Sequence, residues 1–278
     1  MTPALQKVVG ELRRGLSIAR HAGPAAGWRF FREEGLRNGW IRLRSVLGTG
    51  GEVECNLCGW SGERFLTHCG ADYIDRNCFC PACRSYPRHR GFAWVLEHEL
   101  AGELAEVEDL SGRRLVFAPE PGLVRLLARS LSRLEGVDLH PVNDLVIHLE
   151  DMQSLTFEDE SVAFVSSFHV LEHVPEDRRA LRELHRVLHP GGRMVLCVPL
   201  TFGRSETIDF GGPDPRMNGH CFDYGEDFVE RLLDARFSGR AFRLADVLPA
   251  DEQRRLGMVQ EVVYWLRRTP EGEDPAIG

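Results

Sequence analysis

From Arg114 to Leu266 short apolar runs alternate with segments whose apolar residues recur at helical spacing, and no other feature constrains the fold as strongly. A run of strand length followed by a segment of helix length is the repeat of βαβ units, which assemble as a parallel sheet with helices packed on its faces. The strands read from the pattern are Leu115–Ala118, Val137–His140, Leu145–Leu149, Ala163–Ser167, Met194–Pro199, Ala241–Ala245 and Val262–Leu266. Between the fourth and fifth a helix is predicted, entered at Pro175 and left at Gly191-Gly192. Leu181, Leu184, Val187 and Leu188 make its buried face, and Arg178, Arg179, Arg182 and Glu183 its wet one. The fold class expected is α/β with a mostly parallel seven-stranded sheet.

Six of the eight cysteines lie between Cys55 and Cys83. Cys55-Asn56-Leu57-Cys58 and Cys80-Pro81-Ala82-Cys83 are two Cys-x-x-Cys pairs, and a two-residue gap lets one tight turn present two thiolates to one ion. Gly59 suits a turn that needs positive φ, and Pro81 pre-sets the second turn. The reading is a zinc ribbon with Cys55, Cys58, Cys80 and Cys83 as ligands, a closed set that leaves no coordination position for chemistry. Cys78 can replace one of the second pair by spacing alone, and His68 and Cys69 lie further outside the pattern. The following Arg84, Arg88 and Arg90 either grip an anionic ligand or pin the small module to its neighbour.

Charge divides the chain unevenly. The net charge is −8, yet residues 1–46 carry nine Lys or Arg against three Asp or Glu, so this arm is +6 and the rest −14. An acidic body argues against general nucleic-acid binding, which needs a basic face. Leu5, Val8, Val9, Leu12 and Leu16 keep an apolar stripe at helical spacing, expected to pack on the protein's own body in preference to a membrane surface. The organisation expected is a basic helical arm over 1–48, a zinc ribbon over 49–91, a catalytic domain over 92–268 and an acidic, Pro/Gly-rich, disordered tail over 269–278. No apolar run reaches transmembrane length and the first residues lack a secretory pattern, so the expected location is cytoplasmic.

In an open α/β sheet the ligand lies beyond the carboxyl ends of the strands, where strand order reverses. The residues at those ends are Pro119-Glu120-Pro121-Gly122 after the first strand, Asp138 in the second, Asp151-Met152 after the third and Phe168-His169-Val170-Leu171-Glu172-His173 after the fourth. Together with Glu183-Leu184-His185-Arg186-Val187-Leu188-His189-Pro190-Gly191-Gly192, these segments resemble the class I S-adenosylmethionine (SAM)-dependent methyltransferases of the type 11 group. Within that group the chain is similar to a branch having a Cys-Pro-x-Cys-x-Ser-x-x-Arg-His-Arg ribbon, here Cys80 to Arg90, and an Ala-Pro-Glu first loop, here Ala118-Pro119-Glu120. The resemblance covers roughly Cys55 to Arg268 and implies a Rossmann-like class I methyltransferase fold.

It further implies that Ala118, Pro119, Glu120 and Gly122 lie against the methionine part of SAM, that Asp138 holds the ribose, and that Asp151 with the backbone of Met152 reads the adenine. The chain departs from the group where Ala118 and Glu120 replace glycines of the usual Gly-x-Gly-x-Gly loop. Ala163 stands where an Asp usually begins strand four, and Phe222 replaces an Arg in His220-Cys221-Phe222-Asp223, a change that bears on the acceptor pocket.

Methyl transfer from a sulfonium is an in-line displacement that needs no metal, so most of the rate can come from alignment. A hydroxyl acceptor also needs a base, and His169 at the end of strand four is the first candidate, with His173 and His220 next; His169 also borders the cofactor. An acidic domain favours a small neutral or cationic acceptor, such as a sugar or natural-product hydroxyl or amine. The competing readings are an RNA or protein methyltransferase that docks its target on the ribbon and arm, and a SAM-binding scaffold without catalysis.

Overall fold

The structure, a computed structural model, describes residues 16, 18–20, 23–46, 51–69 and 74–278. The described residues form two units: one runs to Arg90 and also takes in Ala250–Met258, and the other comprises Gly91–Pro249 and Val259–Gly278. Sequence reading assigns 92–268 to a single domain; the structure instead gives its segment 250–258 to the first unit. Among the described residues no helix is long and apolar enough to cross a membrane.

In the first unit a π-helical stretch, Phe31–Arg37, separates the helices Pro24–Phe30 and Asn38–Val46. The stretch buries Glu33 and Glu34. Arg32 and Arg76 stand 3.0 and 3.2 Å from the Glu33 carboxylate, and the bond from Arg76 leads in holding its pKa below the usual range. Asn38 exchanges two 2.8 Å hydrogen bonds with the backbone of Thr67, docking the helix on the strand beneath. The arm thus packs within its own unit, although Leu5, Val8, Val9 and Leu12 of the predicted stripe lie outside the described residues and Leu16 is exposed. Two hairpins follow, β1 (Val53–Glu54) with β2 (Ser61–Gly62), and β3 (Leu66–Cys69) with β4 (Ile74–Phe79).

The helix Pro87–His98 leads into the second unit. Its strands are β5 (Arg113–Phe117), β6 (Leu134–Asp138), β7 (Val146–Leu149), β8 (Val162–Phe168), β9 (Leu188–Cys197), β10 (Ile208–Asp214), β11 (His220–Asp223), β12 (Phe237–Arg243) and β13 (Val262–Arg268). Seven of them form one sheet in the order β12-β13-β9-β8-β5-β6-β7. Neighbours from β9 to β7 are parallel, and β13 runs antiparallel to both β9 and β12. This is the Rossmann-like class I methyltransferase fold. All seven residues of β8 are buried, as a central strand covered on both faces requires. The helix Asp177–Val187 buries Leu181, Leu184 and Val187 completely, the face its spacing predicts.

Three details differ from the sequence reading. Gly191-Gly192, expected to end a helix, lies inside β9, where the register against β8 shifts between Val162 and Phe164; a Cβ on Gly192 would meet the Ala163 carbonyl oxygen at 2.8 Å. The hairpin β10–β11 was not foreseen. The tail, expected to be disordered, lies along β12: Gly239 N–H donates to Ala276 O at 2.9 Å, Ala241 N–H to Gly278 O at 2.7 Å, and Ile277 packs on the core. A free β12 edge supplies the backbone partners that composition alone does not reveal.

Candidate functional site

Strand order reverses between β5 and β8, so the crevice expected of this fold opens at their carboxyl ends. There a cavity of about 360 Å³ is lined by Phe117, Ala118, Val137, Asp138, Leu139, Glu150, Asp151, Met152, Gln153, His169, Val170, His173, Val174 and Pro175. Of the sequence-predicted positions, Ala118, Asp138, Asp151, Met152, His169 and His173 share this one space. Pro119, Glu120 and Gly122 do not line it. The helix Pro121–Leu127 starts at its proline, so Gly122 is already buried in a helical turn and only Ala118 borders the cavity.

Backbone conformation marks the same two strand ends. Ala118 (φ 45°) and His169 (φ 54°) immediately follow β5 and β8, and both occupy the left-handed region that disfavours side chains. Each is held there by the neighbouring strand, Ala118 N–H donating to Val137 O at 2.8 Å and His169 N–H to Cys197 O at 2.9 Å. Non-glycine residues in this region cost on the order of 1–3 kcal/mol each and concentrate at functional sites. The approach of Pro119 to β6 depends on Gly136, where a Cβ would lie 2.0 Å from Leu145 O and 3.0 Å from Pro119 Cγ.

The carboxylates are set by short turns. Asp138 Oδ1 accepts from His140 N–H at 3.0 Å, and Asp151 Oδ1 accepts from Gln153 N–H and Nε2 at 2.9 Å each. The loop that carries Asp151 and Met152 is fastened to the helix Asp177–Val187. Glu183 accepts from Leu155 N–H at 3.0 Å, and Arg186 donates to the carbonyls of Leu155 and Phe157 at 2.9 Å each. The Arg186 bond leads in holding the pKa of Glu183 below the usual carboxylate range.

His169 stands between two acids that sequence reading did not assign to the site. Its Nε2 is 3.3 Å from the Glu261 carboxylate and its Nδ1 is 3.7 Å from Glu172 Oε1. Glu261 is 92 residues away in the chain and just precedes β13, so no local pattern announces it. His220 does not line the cavity; its ring meets that of His173 edge-on at 4.7 Å. Burial, then the neighbouring His173 and His169, push the His220 pKa down to about 4, which makes it a weak proton acceptor at neutral pH. Phe222 lies in the core, stacked on Tyr224 at 5.6 Å with the Arg231 guanidinium 5.2 Å from its ring centre. It is not among the residues lining the crevice.

In the first unit the four predicted cysteines converge. Cys55 Sγ is 3.6 Å from Cys83 Sγ, Cys58 Sγ is 3.7 Å from Cys80 Sγ, and all four sulfurs lie within 4.8 Å of one another. Tetrahedral zinc with bonds of about 2.3 Å sets its sulfurs about 3.8 Å apart. Each knuckle turns through a positive φ, at Gly59 (72°) and at Arg84 (62°). Burial foremost, then the adjacent Cys55 and Cys83, push the Cys58 thiol up to about 11, so thiolates gathered here call for a cation. Cys78 is buried outside this group, its carbonyl accepting from Arg90 at 2.9 Å. Arg90 fits neither reading of the arginines: its fully buried guanidinium bonds backbone carbonyls of its own unit and so fastens that unit internally.

Residues 122–196 match the family described as "Methyltransferase domain". An uncharacterised 37.1 kDa protein in transposon TN4556 of Streptomyces fradiae is 33% identical over 181 residues, which cover 61% of this chain and 48% of that protein. The chain thus spans about half the length of this relative. Among solved structures it is similar to a putative sarcosine dimethylglycine methyltransferase from Galdieria sulphuraria (17% identity, 64% of this chain and 84% of that one, TM-score 0.45). It is also similar to geranyl diphosphate C-methyltransferase from Streptomyces coelicolor A3(2) (18% identity, 68% and 84% covered, TM-score 0.42). Over residues 122–196, set in a Rossmann-like class I methyltransferase fold, the chain is similar to methyltransferase domains.

Proposed function

We propose that the protein is a SAM-dependent methyltransferase acting on a small-molecule acceptor, with a structural zinc in its cysteine cluster. The observation that supports this most is the convergence of Ala118, Asp138, Asp151, Met152 and His169 on one crevice at the strand-order reversal. Its volume of about 360 Å³ falls within the roughly 300–1,000 Å³ of small-molecule sites. A carboxylate at Asp138 accepts two ribose hydroxyls, Asp151 accepts from the adenine amino group, and Met152 offers its backbone to the ring edge. Bound SAM supplies an electrophilic methyl on a sulfonium sulfur.

His169 takes the acceptor's proton. With Nε2–H donated to Glu261, the Nδ1 lone pair is the basic one, and the Glu172 carboxylate 3.7 Å away stabilises the imidazolium that forms. The acidic body repels polyanions and suits a small neutral or cationic acceptor. In the cysteine cluster the closed set of four sulfurs makes zinc a staple for a unit whose hairpins are too short to hold a core alone.

Calorimetric titration with S-adenosylhomocysteine (SAH) tests the reading. Wild type should release heat on binding. Asp138→Ala should bind at least about 100-fold more weakly, because two charge-assisted hydrogen bonds of about 1.5 kcal/mol or more are lost. No heat with the wild-type protein would end the methyltransferase reading.

A further inference from the structure

Metal-ligating side chains gather beside the crevice, in the second unit and apart from the cysteine cluster. Glu172, His173 and His220 each place one ligand atom within 4.8 Å of the other two. Two elements bring them together. Glu172 and His173 end the 3-10 turn Leu171–His173, which follows β8, and His220 opens β11.

Their setting suits a cation. Glu172 is 1% exposed, and a carboxylate so deeply placed is stable when paired or metal-bound. His173 Nδ1 lies 3.2 Å from the Gly219 carbonyl; donating its proton there leaves the Nε2 lone pair for a metal, the arrangement that metal-binding histidines usually show. Both the tether, Gly219, and the ligand, His220, sit at the start of β11, so the hairpin β10–β11 sets the geometry of the group. His173 itself lines the crevice.

We propose that Glu172, His173 and His220 hold a divalent first-row transition ion, in the range Mn2+ to Zn2+, whose remaining coordination positions take an oxygen of the acceptor. Two imidazoles and one carboxylate are a donor set for such ions, whereas Mg2+ and Ca2+ favour oxygen donors. Three protein ligands leave positions open, in contrast to the four sulfurs of the ribbon. An ion there fixes the acceptor hydroxyl and lowers its pKa, and His169 receives the proton. The ion's placement stands on the three side chains alone, and its role toward the acceptor rests on the methyltransferase reading.

The test uses the full chain as purified, with the cysteine cluster loaded. Metal content is measured by mass spectrometry, and Mn2+ uptake by the loss of the free Mn2+ electron paramagnetic resonance signal. Metal already present plus Mn2+ taken up should total two ions per chain. His173→Ala and His220→Ala should weaken the second ion at least about tenfold while the first is retained. Circular dichroism establishes that the variants are folded. A total of one ion in the wild type, or folded variants that take up both ions with wild-type affinity, overturns the proposal. SAH calorimetry on the same samples separates the two claims: SAH binding without a second ion leaves the methyltransferase reading standing, and a second ion without SAH binding removes only that reading.

Discussion

Replacing Arg90 should unfasten the ribbon-bearing unit, and the structure sets the size of the effect. Its guanidinium is fully buried and donates to Leu256 O at 2.6 Å, Ser85 O at 2.7 Å and Cys78 O at 2.9 Å, while its plane sits 3.7 Å from the centre of the Phe65 ring. Burial brings its pKa down to about 10, so it stays charged at neutral pH. In Arg90→Ala the three carbonyls within 3 Å, and Gly257 O at 3.5 Å, lose a charged donor, each close bond worth about 1.5–3 kcal/mol. Recovered hydration of the arginine and water entering the gap offset part of that, leaving an expected loss of about 3–5 kcal/mol. That is a large fraction of the roughly 5–15 kcal/mol that holds an ordinary domain together. Arg90→Lys keeps the charge but not the planar fork and should lose about 2 kcal/mol. Hydrogen exchange over residues 53–83, read by mass spectrometry against denaturant, reports this unit directly. Protection within about 1 kcal/mol of wild type in Arg90→Ala would refute the account of Arg90 as the bolt of the unit.

Three further outcomes are expected. His169→Ala should lower turnover about 100-fold or more while SAH affinity is unchanged; equal turnover would remove His169 from the mechanism. Cys80→Ser should release the zinc and abolish exchange protection over residues 53–83, and full protection with the zinc gone would show that the unit needs no metal. His185 packs edge-on to Phe237 at 5.4 Å, and burial, followed by the charges of Arg268 and Arg236, lowers its pKa from 6.5. Above pH 6.5 it is neutral both folded and unfolded; as pH falls below that value the unfolded chain takes up a proton that the folded chain resists, so stability drops. Melting temperatures measured from pH 7 to pH 5 should fall less steeply in His185→Gln, and parallel curves would exclude this histidine as a cause.

The centre of the sheet was legible because a strand such as β8 is buried on both faces, and its run Val162-Ala163-Phe164-Val165 is of strand length and continuously apolar. The crevice was legible for a related reason: chemistry sits at strand ends, and strand ends can be counted. The hairpin β10–β11 escaped because every residue of β10 is exposed or half-buried and leaves no apolar rhythm to read, although β11 buries Cys221 and Phe222. Glu261 escaped because its place beside His169 is made by β13 pairing with β9, a contact between segments that sequence order separates. Gly191-Gly192 misled because glycine ends helices far more often than it relieves a register shift inside a strand. The tail misled because composition reports what a segment can bury, and backbone bonds to an open strand edge need no burial.

The two bonding partners Arg90 and Leu256 are 166 residues apart in the chain. During synthesis the cysteine knuckles therefore emerge long before the helix Ala250–Leu256 that supplies the Leu256 carbonyl and bears Arg255, which pairs with Glu54 at 2.8 Å. A nascent ribbon must wait for the ribosome to translate most of the second unit before its last fastening exists. A fragment ending at Arg90 would preserve all four cysteines of the cluster and still lack that fastening, so severing the protein between its units yields an incomplete half.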